Sequence, residues 1–339
     1  MSTNAASIQG RRKGPKLLPR LPMSAFTPPN SGTSDKFPLP ASPSTVHPER
    51  VVDAHVVGDP GLLKWQKEAG GTLGSRAYGV VLSVPADRVA EVAEQMGNVK
   101  VLSVMIPFDL VDPASISAAI SVASKSRVPV SFSTAFSKST PESIAGLREI
   151  LQQRRPVDIE IQTSITDADS SMEGFEEFLT RATAELGGTP PITLSNLLPP
   201  PHDFNLPIVK LMNHPTYHAF QALTAALSLF PSVYVKYLPP AWGVVTPSTP
   251  QPGATTENSG AKEQREWKRR IKMYLGPVME AFGFERIIFG SSSPRVSQAI
   301  SNSGDWYNIA RESLAELGVE QESVDSVFSL NARRVYGSK

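Results

Sequence analysis

From Arg50 onward the chain repeats one pattern: a short β-branched, apolar run, then a longer stretch of helical periodicity, then another apolar run. The apolar runs cover residues 51–56, 78–84, 99–106, 128–134, 157–163, 191–196, 233–238 and 286–290, which makes eight. Helical stretches at 86–96, 113–124, 141–153, 172–186, 215–229, 263–282 and 306–317 each separate two runs or follow the last. Thr140-Pro141-Glu142 reads as a cap followed by proline at the first helical position. Gly97, Gly187 and Gly283 stand just past helical stretches, where a left-handed residue ends a helix without strain. The runs Tyr78-Gly79-Val80-Val81-Leu82 and Arg286-Ile287-Ile288-Phe289 are nearly continuous in apolar character, as expected of parallel strands covered on both faces. Eight βα repeats in a chain of 339 residues predict an α/β fold, a (β/α)8 TIM barrel. An open doubly wound sheet is the alternative.

The region 1–50 differs in composition. It is rich in Pro and Ser, and its first 34 residues carry Arg11, Arg12, Lys13, Lys16 and Arg20 without an acidic residue. Prolines 15, 19, 22, 28 and 29 work against the amphipathic helix of an organellar presequence. The expected organisation is a basic, largely disordered arm over 1–50 and a barrel over 51–339, interrupted by a flexible Pro/Thr/Ser/Gly-rich insertion at 246–261. Following the seventh strand, that insertion would lie at the carboxyl-terminal mouth of a barrel, as a lid or a tolerated surface loop.

Charge and cysteine content remove whole classes of function. Lys and Arg total 33 against 32 Asp and Glu, so no nucleic-acid or membrane partner is expected on electrostatic grounds. The absence of cysteine excludes disulfides, thiolate metal sites and cysteine nucleophiles. No apolar run approaches the ~18 residues of a membrane span, and a cytoplasmic location is expected by default. The basic segment Trp267-Lys268-Arg269-Arg270-Ile271-Lys272 reads as a barrel-facing helix, because Trp267, Ile271, Leu275, Val278 and Phe282 form one apolar stripe.

Barrel chemistry resides at the carboxyl ends of the strands. Those ends carry Asp53 and His55, Ser83, Asp109, Ser133 and Thr134, Gln162 to Ser164, Asn196, Lys236 and Tyr237, and Ser291 to Ser293. The inventory is polar but mostly without ionisable groups. Val52-Asp53-Ala54-His55, Val233-Tyr234-Val235-Lys236, Ile287-Ile288-Phe289-Gly290-Ser291 and Asn331-Ala332-Arg333-Arg334-Val335-Tyr336 resemble, in order, landmarks of the amidohydrolase-related family of metal-dependent TIM-barrel hydrolases and decarboxylases. The Pro-rich arm and the turn Leu198-Pro199-Pro200-Pro201-His202-Asp203 resemble fungal members of that family.

The resemblance implies a His-x-His pair on the first strand, a histidine ending the sixth and an aspartate after Phe-Gly-Ser on the eighth. This chain has His55 but Val57, Asn196 in place of the sixth-strand histidine, and Ser292 in place of the aspartate. A zinc site without cysteine needs about three His or carboxylate ligands, and His55 alone matches. His202 with Asp203, or His214 with His218, are the remaining sources; Pro215 makes His214 a helix-start residue instead. The degenerate catalytic positions are therefore His55, Asn196 and Ser292. Lys236, Ser291, Ser293 and His202 are candidate ligand-binding residues, the serine turn and Lys236 forming an anion pocket unless Lys236 pairs with an acid such as Asp53.

Two functions follow. One is a hydrolase-like barrel that has lost its metal chemistry and binds a small molecule, an anion by this reading, with no cofactor. The other is an active hydrolase of C–N or C–O bonds, amidase- or lactonase-like, with a rearranged site for zinc or another divalent metal.

Overall fold

Four valines in Val51–Val57 suit a buried extended strand and open the sheet as β1, and seven further strands follow: Ala77–Ser83 (β2), Lys100–Pro107 (β3), Val130–Phe136 (β4), Val157–Ile161 (β5), Ile192–Leu198 (β6), Val233–Tyr237 (β7) and Ile287–Phe289 (β8). The computed structural model describes residues 42–337 apart from 58–60, 95–98, 163–171, 202–203, 205, 250–258 and 296–300. All eight strands pair in parallel in the order β1 to β8. The Ser292 amide donates to the His55 carbonyl at 2.9 Å, bringing the end of β8 back against β1. The predicted TIM barrel is the fold observed.

The helices lie between strands as the periodicity predicts: Val89–Glu94 (α2), Pro113–Lys125 (α3), Pro141–Leu151 (α4), Met172–Thr183 (α5), Pro215–Ser228 (α7), Ser259–Phe282 (α8) and Ser303–Ala315 (α9). Two elements were not foreseen, Gly61–Leu73 (α1) and the single turn Ile208–Leu211 (α6). Gly70 and Gly71 weaken the helical signal of α1, but Trp65, Ala69 and Leu73 give it a buried stripe. Thr140 caps α4 with Ser143 returning the bond, and Asp112 caps α3. His214 caps α7 through Nδ1, so it serves the helix start and not a metal. Trp267, Ile271, Leu275, Val278 and Phe282 are all buried, while Lys268 and Lys272 pair with Glu312 of α9 and Glu316 at its C-cap. The basic segment therefore ties two helices together.

The chain joins this fold ahead of β1. Arg311, buried on α9, donates to the carbonyls of Pro43 at 2.9 Å and Val46 at 2.7 Å. Residues 1–41, to which most of the arm expectation refers, lie outside the described residues. Of the 246–261 insertion, Thr246 is buried, Thr249 bonds Asp305, and α8 already begins at Ser259; the remainder falls outside the described residues.

Two layers fill the barrel interior. Val52, Ala54, Val81, Leu102 and Ile288 form an apolar floor with Ala332, Val335 and Tyr336 of a last helix, Asn331–Tyr336 (α11). Asn331 secures that helix by donating to the carbonyls of Phe284 at 2.7 Å and Ile287 at 2.8 Å. The helical tail after α9 consists of Gln321–Asp325 (α10), a π-helical turn Ser326–Leu330, and α11. Above the floor the inward positions of β4 to β7 turn polar. Ser131 and Ser133, Asp158 and Glu160, Thr193 and Ser195, and Lys236 alternate with apolar residues that face the helices, and all are buried.

Candidate functional site

Period-two alternation on β5 and β7 sends Asp158 and Lys236 toward the same point in the lumen, where β1 supplies His55. The Lys236 ammonium forms an ion pair with Asp158 Oδ2 and donates to His55 Nδ1 at 3.3 Å. His55 Nδ1 stands 3.6 Å from the same carboxylate oxygen, and Ser195 Oγ donates to its other oxygen at 2.7 Å. Met105 sulfur lies 3.9 Å from the ammonium and the Tyr336 ring centroid 5.6 Å away, closing the cage from below. Tyr336 is held in turn by a 3.0 Å hydroxyl contact with Thr193. Lys236 is 0% exposed, so its charge has only these groups as solvent.

Burial alone would raise the Asp158 carboxyl, but the Lys236 ammonium overcomes this and holds it well below the ordinary carboxylate range. Burial would likewise lower Lys236, and the Asp158 carboxylate reverses that, keeping the ammonium protonated. For His55, burial and the adjacent ammonium both push the imidazole down, more than Asp158 pushes it up. His55 is therefore neutral. With a cation donating to Nδ1, the hydrogen-bond network assigns its proton to Nε2.

That assignment has a consequence for stability. The unfolded chain takes up a proton on His55 as pH falls through about 6.5, whereas the folded chain does so only at lower pH. Stability is therefore expected to decline on acidification below about pH 6.5, before ordinary carboxylates titrate. Tm followed between neutral and mildly acid pH checks this. His55→Gln should flatten the profile, and an unchanged slope in that variant would show that His55 does not carry it.

Above the ion pair, the mouth is lined by His55, Ser133, Thr134, Asp158, Glu160 and Arg295 among others, and its free volume is about 10 Å³, room for about one water. His55 Nε2, Ser133 Oγ and Thr134 Oγ1 are buried there with no hydrogen-bond partner among the described residues. Three unmet polar atoms on one small cavity call for a water or a ligand. The Arg295 amide donates to Glu160 Oε2 at 3.1 Å, pinning the segment after β8 across the opening.

The other residues singled out from the sequence take different parts. Ser292 is a seam: its amide donates to His55 O, and its hydroxyl accepts from the Val57 amide at 3.0 Å. Ser291 donates its amide to Asp53 at 2.9 Å, and Ser293 is half-buried on the same turn. The amides of Ser291 and Ser292 are thus taken up inside the protein, and the Lys236 ammonium is paired with Asp158. Asn196 adopts a left-handed φ of 64° and donates Nδ2 to the Ile161 carbonyl at 2.7 Å, away from the Lys236 cage. His202 and Asp203 lie outside the described residues.

Lys236 does pair with an acid, the alternative to an anion pocket, but the acid is Asp158 and not Asp53. Asp53 instead accepts from Trp65 Nε1 at 2.6 Å, the Ser291 amide, and the His55 amide at 3.1 Å, joining β1, α1 and β8. Burial raises its carboxyl against those three donors. Asp158, Glu160, Ser195 and Arg295 were missed. The first two carried a readable signal, two acids spaced by two in an otherwise apolar strand.

The family resemblance implies a divalent ion at this mouth, and the residues described do not fit one. His55 offers a single imidazole, lowered in basicity by an ammonium 3.3 Å from its ring. Val57 offers no donor, Asp158 is committed to Lys236, and Glu160 binds a backbone amide. Among the described residues no three His, Cys, Asp or Glu are grouped to hold an ion.

Known proteins agree with the fold and with part of the sequence. The family model described as amidohydrolase matches residues 204–338, so the resemblance read from the motifs holds over that stretch. An amidohydrolase from Burkholderia multivorans, solved with bound HEPES, superposes with a TM-score of 0.56 at 14% identity, covering 85% of this chain and 99% of that one. A second crystal form of that protein with bound zinc gives a TM-score of 0.41 at 16% identity over 84% and 81% of the two chains. A lactonase from Listeria monocytogenes gives 0.47 at 11% identity over 88% and 97%. At these identities the likeness is one of fold. No curated protein sequence matches the chain.

Proposed function

We propose that this amidohydrolase-type barrel binds a small polar molecule at its mouth and works without a resident divalent ion. The observation that carries the reading is the Lys236 ammonium, buried between Asp158 and His55 Nδ1 at the centre of the lumen. It supplies a fixed internal cation and withdraws from metal binding both of the ionisable groups nearest to it. What it leaves to a ligand is a set of hydrogen-bonding atoms: the Nε2–H of His55, which donates, and the hydroxyls of Ser133 and Thr134, which donate or accept. These suit an uncharged polar group better than the anion expected from the sequence. Arg295 and Glu160, both lining this cavity, are joined by the Arg295 amide at 3.1 Å. No helix among the described residues is long and apolar enough to cross a membrane. A cytoplasmic protein with neither nucleic-acid nor membrane partner completes the reading, on the balanced charge.

Elemental analysis of the purified protein, after exchange into metal-free buffer and again after incubation with zinc, tests the reading. The expected result is far less than one ion per chain in both states. One tightly held divalent ion per chain, lost in His55→Ala, would overturn the proposal in favour of a C–N or C–O hydrolase with a rearranged site.

A further inference from the structure

The opposite end of the barrel carries a second polar feature. Arg50 immediately precedes β1, Tyr78 is the second residue of β2, Lys100 is the first of β3, and Arg333 comes from α11. The Tyr78 ring centroid has the Arg333 guanidinium carbon at 4.8 Å, that of Arg50 at 5.1 Å and the Lys100 nitrogen at 5.8 Å. Three cations thus share one aromatic ring. Among the described residues none of the three has a carboxylate within 4.0 Å or an acceptor for its side-chain N–H groups.

A guanidinium drawn to an aromatic face keeps its in-plane N–H groups for another partner, and its position is already restricted before that partner arrives. Arg50 and Arg333 also line a cavity of about 500 Å³, within the range of small-metabolite sites. One wall is the π-helical turn Ser326–Leu330, a backbone form concentrated at functional sites. From that turn Ser329, 3% exposed, contributes a hydroxyl with no hydrogen-bond partner among the described residues. Asp325, which immediately precedes that turn and also lines the cavity, is already satisfied by the Glu49 amide at 2.7 Å and Gln321 Nε2 at 3.2 Å. Glu49 and Glu322 complete the rim and oppose a densely charged polyanion that fills the whole cavity.

We propose that this cavity at the amino-terminal end of the barrel is a binding site for the oxyanion group of a small metabolite, a carboxylate or a phosphate, held by Arg50 and Arg333 with the Ser329 hydroxyl. It is separate from the mouth and does not depend on the function proposed there.

Isothermal titration of the full chain at constant ionic strength, with inorganic phosphate and pyrophosphate in one arm and succinate and citrate in the other, tests it. Saturable one-to-one binding in either arm is expected, and the arm that responds tells phosphate from carboxylate. Arg333→Gln and Arg50→Gln should each weaken binding about tenfold or more, and Arg333→Lys less, because it keeps charge but loses the planar fork. Ser329→Ala, which removes an atom without a partner, should weaken binding while leaving Tm unchanged. Absence of saturable heat in both arms would overturn the proposal. So would binding that persists undiminished in an Arg50→Gln/Arg333→Gln double variant whose Tm shows it folded.

Discussion

Asp158→Ala is expected to destabilise the protein by about 3–5 kcal/mol, the usual cost of removing one member of a buried ion pair. The cost arises less from the lost attraction than from the charge left behind. Lys236 is 0% exposed, and without Asp158 its ammonium would have an imidazole, a thioether and an aromatic face as its surroundings. The variant relieves this by giving up the proton. In the wild-type chain Lys236 is raised by the carboxylate, so its contribution persists below the unfolded lysine value and is lost as pH rises beyond about 10.4. In Asp158→Ala burial acts unopposed, the folded value drops, and stability should instead increase toward alkaline pH. Urea unfolding at several pH values reads both effects. A double variant, Asp158→Leu with Lys236→Met, removes both charges and should recover most of the loss. If the single variant unfolds within about 1 kcal/mol of wild type, the range of an exposed pair, the lumen ion pair is not as buried as described.

Gly290→Ala is the second large effect, expected to cost about 3 kcal/mol, the upper end of overpacking. A Cβ there would stand 2.7 Å from both His55 Cβ and Leu238 Cδ2, and 3.1 Å from the His55 amide nitrogen. Neither His55 atom is the free end of a flexible chain. β8 would have to retreat from β1, straining the Ser292–His55 and Ser291–Asp53 bonds and the 3.0 Å bond from Trp306 Nε1 to the Gly290 carbonyl. Gly70→Ala is the control: it lies inside α1 with nothing within 4 Å, and a gain of about 0.5–1 kcal/mol is expected from helix propensity alone. Equal Tm shifts in the two variants would mean that β8 does not press on His55.

The two predictions mark where sequence reasoning reached and where it stopped. Strand and helix order was legible because burial against the helical ring imposes a local signature, the apolar face of each strand and the stripe of each helix, which short windows of sequence record. α1 escaped because its two glycines blur that stripe. The continuous apolar runs read at 80–82 and 287–289 are buried as expected, but that pattern does not extend round the barrel. β4 to β7 in fact alternate, Asp158 and Glu160 with Ile159 and Ile161, Lys236 with Val235 and Tyr237. Tyr237 faces outward, with its hydroxyl on the Ala310 carbonyl at 3.2 Å.

His55, Val57, Lys236 and Ser292 were visible as single positions, since a motif is a statement about neighbours in sequence. What they do was not. Lys236 meets Asp158 across 78 residues and His55 across 181, and nothing in any window says which acid a buried lysine will find. The amino-acid order by itself determined that eight βα units would form and that Val57 stands two residues after His55, where the resembled motif has a second histidine. Closure of the barrel decided the rest, because only the shared lumen brings β1, β5 and β7 to one point, and desolvation there makes pairing with Asp158 compulsory for Lys236.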